Sequence, residues 1–215
     1  MDRDNRIIIN GNESSFQEGE TILQVSERNG IDIPTLCHIR DSAPTGACRM
    51  CVVEVAGARN LLPSCATPAG HNMVVETESE RVIESRKINI ELLLASGNHN
   101  CLTCESNGDC RLQELAYGYQ VETIRFPESK PRYPTETSNA LIIRDFSRCI
   151  LCGRCVQACN EIQVNNAISF GYRGAVSKIV AAGDLPLNES DCIFCGECVQ
   201  VCPVAALIEK PSRFK

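Results

Sequence analysis

The sequence predicts an α+β fold divided into three small modules, each too small to rely on a hydrophobic core alone. Three observations support this prediction. The 215 residues include 15 cysteines, which occur in separate groups along the chain. Short apolar runs of strand character surround one helical pattern in the first 78 residues. Near the C-terminus, a cysteine motif occurs twice at an offset of 43 residues.

The first module, residues 1–78, is predicted to contain short strands and one helix. The apolar run Arg6–Asn10 is followed by Gly11, and Asn-Gly is a frequent hairpin turn. Thr21–Asn29 has helical character, and Gly30 can take the positive φ that ends a helix. Two further strands are predicted at Cys51–Gly57 and Met73–Thr77.

The second module is predicted to span residues 79–120. A helix is predicted over Glu78–Ser96, and Gly97 ends it. Apolar residues recur near one face of this helix, at Ile83, Ile90, Leu93 and Leu94. The helix is therefore expected to place His99 close to the cysteines that follow it in the sequence.

A proline-containing stretch, residues 121–140, is predicted to be an extended linker over the surface, with Pro127, Pro131 and Pro134 among polar neighbours. The third module, residues 141–215, contains the repeated motif. The 32 residues between Cys159 and Cys192 are predicted to form an inserted pair of strands.

Composition limits the classes of partner. The net charge is −6 and the basic residues are scattered, which argues against nucleic acid. The N-terminus has no apolar signal region, and no run of about 18 apolar residues indicates a membrane span. We therefore expect a cytoplasmic protein with protein partners, whose cysteines bind metal rather than form disulfides.

The cysteine spacings predict four iron-sulfur clusters, which need sixteen ligands. The 15 cysteines supply all but one, and His99 is the best candidate for the last. An alternative makes His99 a solvated loop residue, with water or another side chain completing the site. His38 and His71 are expected to be structural, because neither has a ligand vacancy to fill. We also expect the chain to be largely unfolded without its clusters.

The strongest motif is Cys-x2-Cys-x2-Cys-x3-Cys, present twice, in which the fourth cysteine binds the other cluster. The copies beginning at Arg148 and at Asp191 agree at eight of twelve positions. This rule predicts one cluster on Cys149, Cys152, Cys155 and Cys202, and another on Cys159, Cys192, Cys195 and Cys198. Three cysteines at x2 intervals suit a cuboidal cluster and not tetrahedral zinc.

The first cysteine group is Cys37-x10-Cys48-x2-Cys51-x13-Cys65. Zinc is the alternative, although the long gaps fit it poorly. The spacing resembles the N-terminal 2Fe-2S domain shared by the complex I large subunit, FeFe hydrogenases and their relatives. This resemblance implies a 2Fe-2S cluster in a β-grasp ferredoxin fold.

The stretch from His99 through Cys101 and Cys104 to Cys110 resembles the histidine-ligated 4Fe-4S motif of the same families. In those families the histidine usually lies four positions before the first cysteine. Here His99 lies two positions before Cys101. The resemblance implies a small helical domain whose 4Fe-4S cluster is held by one histidine and three cysteines.

Taken together, the modules resemble the diaphorase iron-sulfur subunit of soluble NAD-reducing hydrogenases, and the N-terminal regions of the complex I large subunit and of multidomain FeFe hydrogenases. The sequence has no Gly-x-Gly-x-x-Gly after a predicted strand and no phosphate loop, so FMN and NAD(P) are expected on a partner subunit.

The resemblance implies a bacterial-type two-cluster 4Fe-4S ferredoxin domain at the C-terminus and a relay of single electrons. The electrons would pass between a flavin-binding diaphorase subunit and a terminal subunit acting on hydrogen, formate or ferredoxin, with electron bifurcation as one possible mode. Two alternatives are a flavin enzyme in its own right, such as a ferredoxin reductase, and a free-standing polyferredoxin or iron sensor. No complete active site is evident, so catalysis by this chain alone is not expected.

Overall fold

The computed structural model describes residues 5–128 and 133–210, as a mixture of short helices and small sheets. These residues belong to two units. One comprises the chain up to His38 together with Ala43–Asn89, and the other comprises Ile39–Ser42 and the chain from Ile90. Within the described ranges, no helix is long and apolar enough to cross a membrane.

The first unit contains a five-stranded sheet in the order β2-β1-β5-β3-β4. Its strands are β1 (Arg6–Ile9), β2 (Asn12–Ser15), β3 (Val52–Val55), β4 (Leu62–Pro63) and β5 (Met73–Glu76). Strand β1 is antiparallel to β2 and parallel to β5. The predicted hairpin is confirmed, because Asn10 (φ 49°) and Gly11 (φ 77°) form a turn with both residues left-handed.

Helix α1 (Ile22–Arg28) covers this sheet, within the predicted range. Its N-terminus is a capping box: Thr21 Oγ1 accepts from the Gln24 N–H, and Gln24 Oε1 accepts from the Thr21 N–H at 2.8 Å. The helix stops before Gly30, which has a φ of 71°. Buried side chains of α1 pack with those of the sheet, including Ile22, Leu23, Val25, Ile7, Ile9, Val53 and Val75.

Helix α2 (Glu80–Ala95) forms as predicted, but its buried face differs from the predicted one. Val82, Arg86 and Ile90 are fully buried, at i, i+4 and i+8, whereas the predicted Ile83, Leu93 and Leu94 are partly exposed. The prediction counted only apolar residues. Arg86 belongs to the buried face because its guanidinium donates to the Val52 carbonyl at 3.0 Å.

The second unit contains two strand pairs and several short helices. The α-helices and strands that lie wholly within it are α3 (Arg111–Gly118), β6 (Ile142–Arg144), α4 (Arg154–Gln157), β7 (Ile168–Gly171), β8 (Lys178–Ala181), α5 (Glu197–Gln200) and β9 (Leu207–Glu209). Single 3-10 turns lie at Cys101–Thr103, Phe146–Arg148, Gly174–Val176, Ala182–Asp184 and Leu187–Glu189, and a π turn lies at Ala158–Ile162. Strand β6 pairs with β9, and β7 pairs with β8, both antiparallel. The β7–β8 pair confirms the strand pair predicted between the two cysteine motifs.

The predicted linker is largely irregular where it is described, and Pro131 lies outside the described residues. It is not entirely superficial. Glu136 exchanges two backbone hydrogen bonds with Arg144, at 2.8 and 3.0 Å. Asn139 is 4% exposed and bonds the N–H and the carbonyl of Ile142 through its side chain. The end of this segment is therefore built into the third module.

Candidate iron-sulfur sites

The four cysteines of the first group come together in the first unit. Cys37, Cys51 and Cys65 are almost completely buried, and the Sγ atoms of Cys51 and Cys65 are 3.3 Å apart. The Cys48 N–H points at Cys37 Sγ at 3.5 Å. Arg49 takes a left-handed φ of 56°, which turns the loop tightly between Cys48 and Cys51.

Contacts between these thiols perturb their acidity. Hydrogen bonding from Cys48 lowers the pKa of Cys37, and hydrogen bonding from Cys65 lowers that of Cys51. The same hydrogen bonds, followed by burial, raise the pKa of Cys48 and of Cys65. Four thiolates this close together, three of them buried, would repel one another, so this group suits a positively charged metal core.

The second group lines a single cavity in the second unit. His99, Cys101, Cys104 and Cys110 all contribute to its wall, together with Arg148. The pKa of Cys101 is raised by burial and then by the neighbouring Cys110 and Cys104. The structure therefore brings the four predicted ligands of this group to one place.

The imidazole of His99 is oriented by the end of α2. Its Nε2 lies 3.1 Å from the Leu93 carbonyl oxygen. A carbonyl only accepts hydrogen bonds, so Nε2 carries the hydrogen and Nδ1 carries the lone pair. Metal-binding histidines often donate their other ring N–H to a carbonyl in this way, which fixes the tautomer and the ring orientation.

The eight cysteines of the repeated motif line another cavity in the second unit: Cys149, Cys152, Cys155, Cys159, Cys192, Cys195, Cys198 and Cys202. Burial raises the pKa of Cys152 to about 12, and the charges of Cys202 and Cys149 add to the shift. Burial also raises the pKa of Cys192, with contributions from Cys159 and Cys195. The neighbours of each trio therefore include the fourth cysteine of the other motif copy.

The two motif copies have matching backbones. Leu151 and Phe194 have φ values of 53° and 56°, and Gly153 and Gly196 have φ values of 79° and 81°. Helices α4 and α5 begin directly after these glycines. The repeat in the sequence is thus a repeat in conformation.

All 15 cysteines lie in the described part of the chain, and none forms a disulfide. Among residues 5–128 and 133–210, no three His, Cys, Asp or Glu side chains are arranged to hold a single metal ion. The two histidines that are not predicted ligands differ in their surroundings. His71 is exposed in a turn, and His38 directly follows Cys37 and has a buried Nδ1.

Buried arginine atoms test whether the eight-cysteine cavity fits a cluster. Arg144 lines this cavity, and its Nη1 is buried with no hydrogen-bond acceptor among the described residues. Arg154 Nε is also buried without an acceptor among the described residues, and its chain neighbours Gly153 and Cys155 line the cavity. A cluster held by four thiolates is anionic, so it would offer these two nitrogen atoms a charged hydrogen-bond acceptor. The residues therefore fit the predicted cofactor.

Arginines near the cysteines were missed in the sequence. Arg148 Nη1 lies 3.5 Å from Cys104 Sγ, and the guanidinium also pairs with Glu105 and Asp145. One signal was available: Arg148 and Arg154 occupy the positions that Asp191 and Glu197 hold in the other copy of the motif.

Three family models match the chain. The 2Fe-2S iron-sulfur cluster binding domain matches residues 3–80, and the NADH-ubiquinone oxidoreductase-G iron-sulfur binding region matches residues 86–125. The 4Fe-4S dicluster domain matches residues 148–206. The prediction that both 2Fe-2S and 4Fe-4S sites are present is confirmed by these matches.

Individual relatives agree with the models. The chain is 41% identical over 94% of its length to the NADP-reducing hydrogenase subunit HndD of Solidesulfovibrio fructosivorans, of which it spans only 36%. It is 34% identical over 95% of its length to the NAD-reducing hydrogenase HoxS subunit gamma of Cupriavidus necator, and covers 87% of that protein.

A solved structure matches over nearly the whole chain. It is the crystal structure of an NAD+-reducing [NiFe]-hydrogenase in the H2-reduced state, with a TM-score of 0.88 and 33% identity, covering 98% of this chain and 89% of that one. The resemblance in the motifs is therefore confirmed, and the chain belongs to the family of iron-sulfur electron-transfer subunits of NAD(P)-reducing hydrogenases and related complexes.

Proposed function

We propose that this chain relays single electrons between a flavin- and NAD(P)-binding diaphorase subunit and a terminal redox subunit, through one 2Fe-2S and three 4Fe-4S clusters. The terminal partner is a hydrogenase, a formate dehydrogenase or a ferredoxin oxidoreductase. The observation that supports this most directly is the cavity lined by all eight cysteines of the repeat. Iron-sulfur clusters accept and release one electron at a time when bound.

We assign the ligands by the groups that the sequence predicted. The 2Fe-2S site takes Cys37, Cys48, Cys51 and Cys65, and the first 4Fe-4S site takes His99, Cys101, Cys104 and Cys110. The other two 4Fe-4S sites take Cys149, Cys152, Cys155 and Cys202, and Cys159, Cys192, Cys195 and Cys198. The crossed set draws support from Cys202 and Cys159, each of which lies near the trio of the other copy.

The proposed domains are 1–78, 79–120 and 141–215, with a linker at 121–140 between the second and the third. The five-stranded sheet covered by α1 supports a β-grasp ferredoxin fold for the first domain. The repeated cysteine motif supports a bacterial-type two-cluster ferredoxin fold for the third. A cytoplasmic location remains a prediction from the sequence.

Contacts inside the second unit support a relay between the histidine-containing site and the repeat. Arg148 Nη1 lies 3.5 Å from Cys104 Sγ, and Arg148 directly precedes Cys149. Cys110 Sγ lies 3.8 Å from the carbonyl of Pro203, which directly follows Cys202. The histidine-containing site therefore contacts the chain next to Cys149 and next to Cys202, which are the first and last ligands of one predicted 4Fe-4S set. This proximity favours electron transfer between the two sites.

The relatives are subunits of larger assemblies, and their names give no support to the alternative of a free-standing polyferredoxin. In the proposed complex, a flavin on the partner subunit would supply the conversion between the two-electron hydride chemistry of NAD(P)H and single electrons. This chain contributes the positioned thiolates, the imidazole and the surrounding guanidinium groups.

Anaerobic purification of the native complex through this chain tests the proposal. We expect companion subunits that carry flavin and a terminal redox site, with about fourteen irons assigned to this chain. A chain that purifies alone with this iron content would contradict the relay and restore the polyferredoxin. A markedly lower iron content, in a preparation with complete companions, would contradict the ligand assignment instead.

A further inference from the structure

The two copies of the cysteine motif differ in charge. They disagree at four of twelve positions, and two of these differences reverse a charge: Arg148 against Asp191, and Arg154 against Glu197. Each charged residue directly precedes a cysteine of its copy. Because the backbones of the copies match, the two ligand groups are alike in conformation and unlike in electrostatic surroundings.

Arg154 acts on the first copy. It is the first residue of α4, and its backbone N–H donates to the thiol of Cys152. Its Nε is buried with no acceptor in the described residues. Its two chain neighbours, Gly153 and Cys155, both line the eight-cysteine cavity, so Arg154 is attached directly to the wall that carries the predicted ligands.

Glu197 occupies the same place in the second copy. It is the first residue of α5, directly after Gly196, and it lines the eight-cysteine cavity. The exposed Asp191 adds a second carboxylate beside Cys192. The surroundings of the second copy are therefore more negative at both equivalent positions.

Two other arginines do not cancel this difference. Arg148 is already paired with Glu105 and Asp145, so its charge is largely compensated. Arg144 lies near Cys192, but its guanidinium is paired with the buried Glu136. Among the residues that the structure describes, positions 154 and 197 therefore show the clearest difference in uncompensated charge between the copies.

We propose that Arg154 and Glu197 set the order of the two reduction potentials in the C-terminal module, with the site of Cys149, Cys152, Cys155 and Cys202 reduced first. Reduction adds a negative charge, which a neighbouring guanidinium stabilises and a neighbouring carboxylate opposes. The inference rests on the ligand sets of the proposed function. An electron that enters this module would then reduce the site that contains Cys149, which is next to Arg148, before the site that contains Cys192.

A redox titration of the anaerobic complex, followed by electron paramagnetic resonance, tests this order. Of the two C-terminal 4Fe-4S sites, the one with the higher potential should respond to Arg154→Gln. Its reduction equilibrium constant should fall by about tenfold, which is a drop of about 59 mV in a one-electron potential. Glu197→Gln should raise that of the other C-terminal site by a similar factor. The interchange Arg154→Glu with Glu197→Arg should reverse the order. Arg173→Gln and Glu209→Gln make matched charge changes at exposed positions and should leave both potentials in place.

Several results would overturn the inference. The electrostatic role would be refuted if Arg154→Gln and Glu197→Gln shifted the reduction potentials no more than the two control variants do. It would also be refuted if both variants shifted the potential of the same site. The two glutamine variants keep the test available if the interchange variant fails to assemble. Wild-type protein that lacks two 4Fe-4S signals from this module would instead refute the ligand sets, and with them the proposed function.

Discussion

Replacing Glu136 with alanine should destabilise the second unit by about 3–5 kcal/mol, because it leaves a buried guanidinium without its partner. Arg144 Nε lies 3.1 Å from Glu136 Oε2, and Arg144 Nη2 bonds the same oxygen. The side chains are only 4% and 14% exposed, respectively. The other carboxylate oxygen accepts the N–H of Leu187 at 2.9 Å, so the substitution also removes this acceptor.

A graded series separates these contributions. Glu136→Gln keeps an acceptor for Leu187 and much of the side-chain shape, so its cost should be smaller, about 1–3 kcal/mol. Glu136→Ala combined with Arg144→Met should recover part of the loss, since no uncompensated charge then remains in the interior. The cost thus depends on the stranded charge more than on lost contact area.

Anaerobic thermal unfolding of the cluster-containing protein measures the effect, at a single scan rate because cluster loss makes unfolding irreversible. For a chain of this size, about 3 kcal/mol corresponds to a drop of about 6–12 °C in the midpoint. Glu209→Ala, on the exposed side of β9, is the control and should move the midpoint by less than about 2 °C. Equal midpoints for the two alanine variants would refute this reasoning.

Three further predictions concern the clusters. His99→Ala should remove or alter one 4Fe-4S signal in electron paramagnetic resonance; an unchanged set of signals would favour water as the ligand. Cys159→Ser should disturb the site of Cys192, Cys195 and Cys198, and disturbance confined to the nearer trio would contradict crossed ligation. Removal of iron should leave the chain largely unfolded, because cluster binding contributes much of the folding free energy; a native-like circular dichroism spectrum would refute this.

Local signals in the sequence were sufficient for several elements. The hairpin at Asn10-Gly11 and helix α1 form where predicted, because a left-handed turn and a capping box depend on neighbouring residues only. The β7–β8 pair was also predicted, from the length of the insertion between the two motif copies. These elements need no information from distant parts of the chain.

Contacts between residues far apart in the sequence could not be predicted from local sequence patterns. Strand β1 pairs in parallel with β5, more than sixty residues later, and no motif in the sequence specifies this register. The burial of Arg86 escaped prediction because a charged residue on a buried face depends on a distant carbonyl, that of Val52. Glu136 was placed in a surface linker for the same reason, since its partners Arg144 and Leu187 come later in the chain.

The candidate sites divide in a similar way. Cluster ligands leave a direct signal, because their spacing is constrained by the size of the cofactor, and the predicted cysteine groups do converge in the structure. The arginines around them have no required spacing. The contrast between Arg154 and Glu197 was visible in the repeat, but the burial of Arg154 Nε could be learned only from the fold.

A relay needs fixed distances between its sites, and the second unit provides them through the main chain. The N–H of Asn98, beside His99, donates to the Ser147 carbonyl at 2.8 Å. The N–H of Arg111, next to Cys110, donates to the Pro203 carbonyl at 3.0 Å. Because these bonds join backbone atoms within two residues of predicted ligands, side-chain substitutions at the surface cannot easily change the separation of the sites. Substitutions of the nearby arginines should therefore change potentials more than distances, and this distinction makes the proposed charge exchange between positions 154 and 197 interpretable.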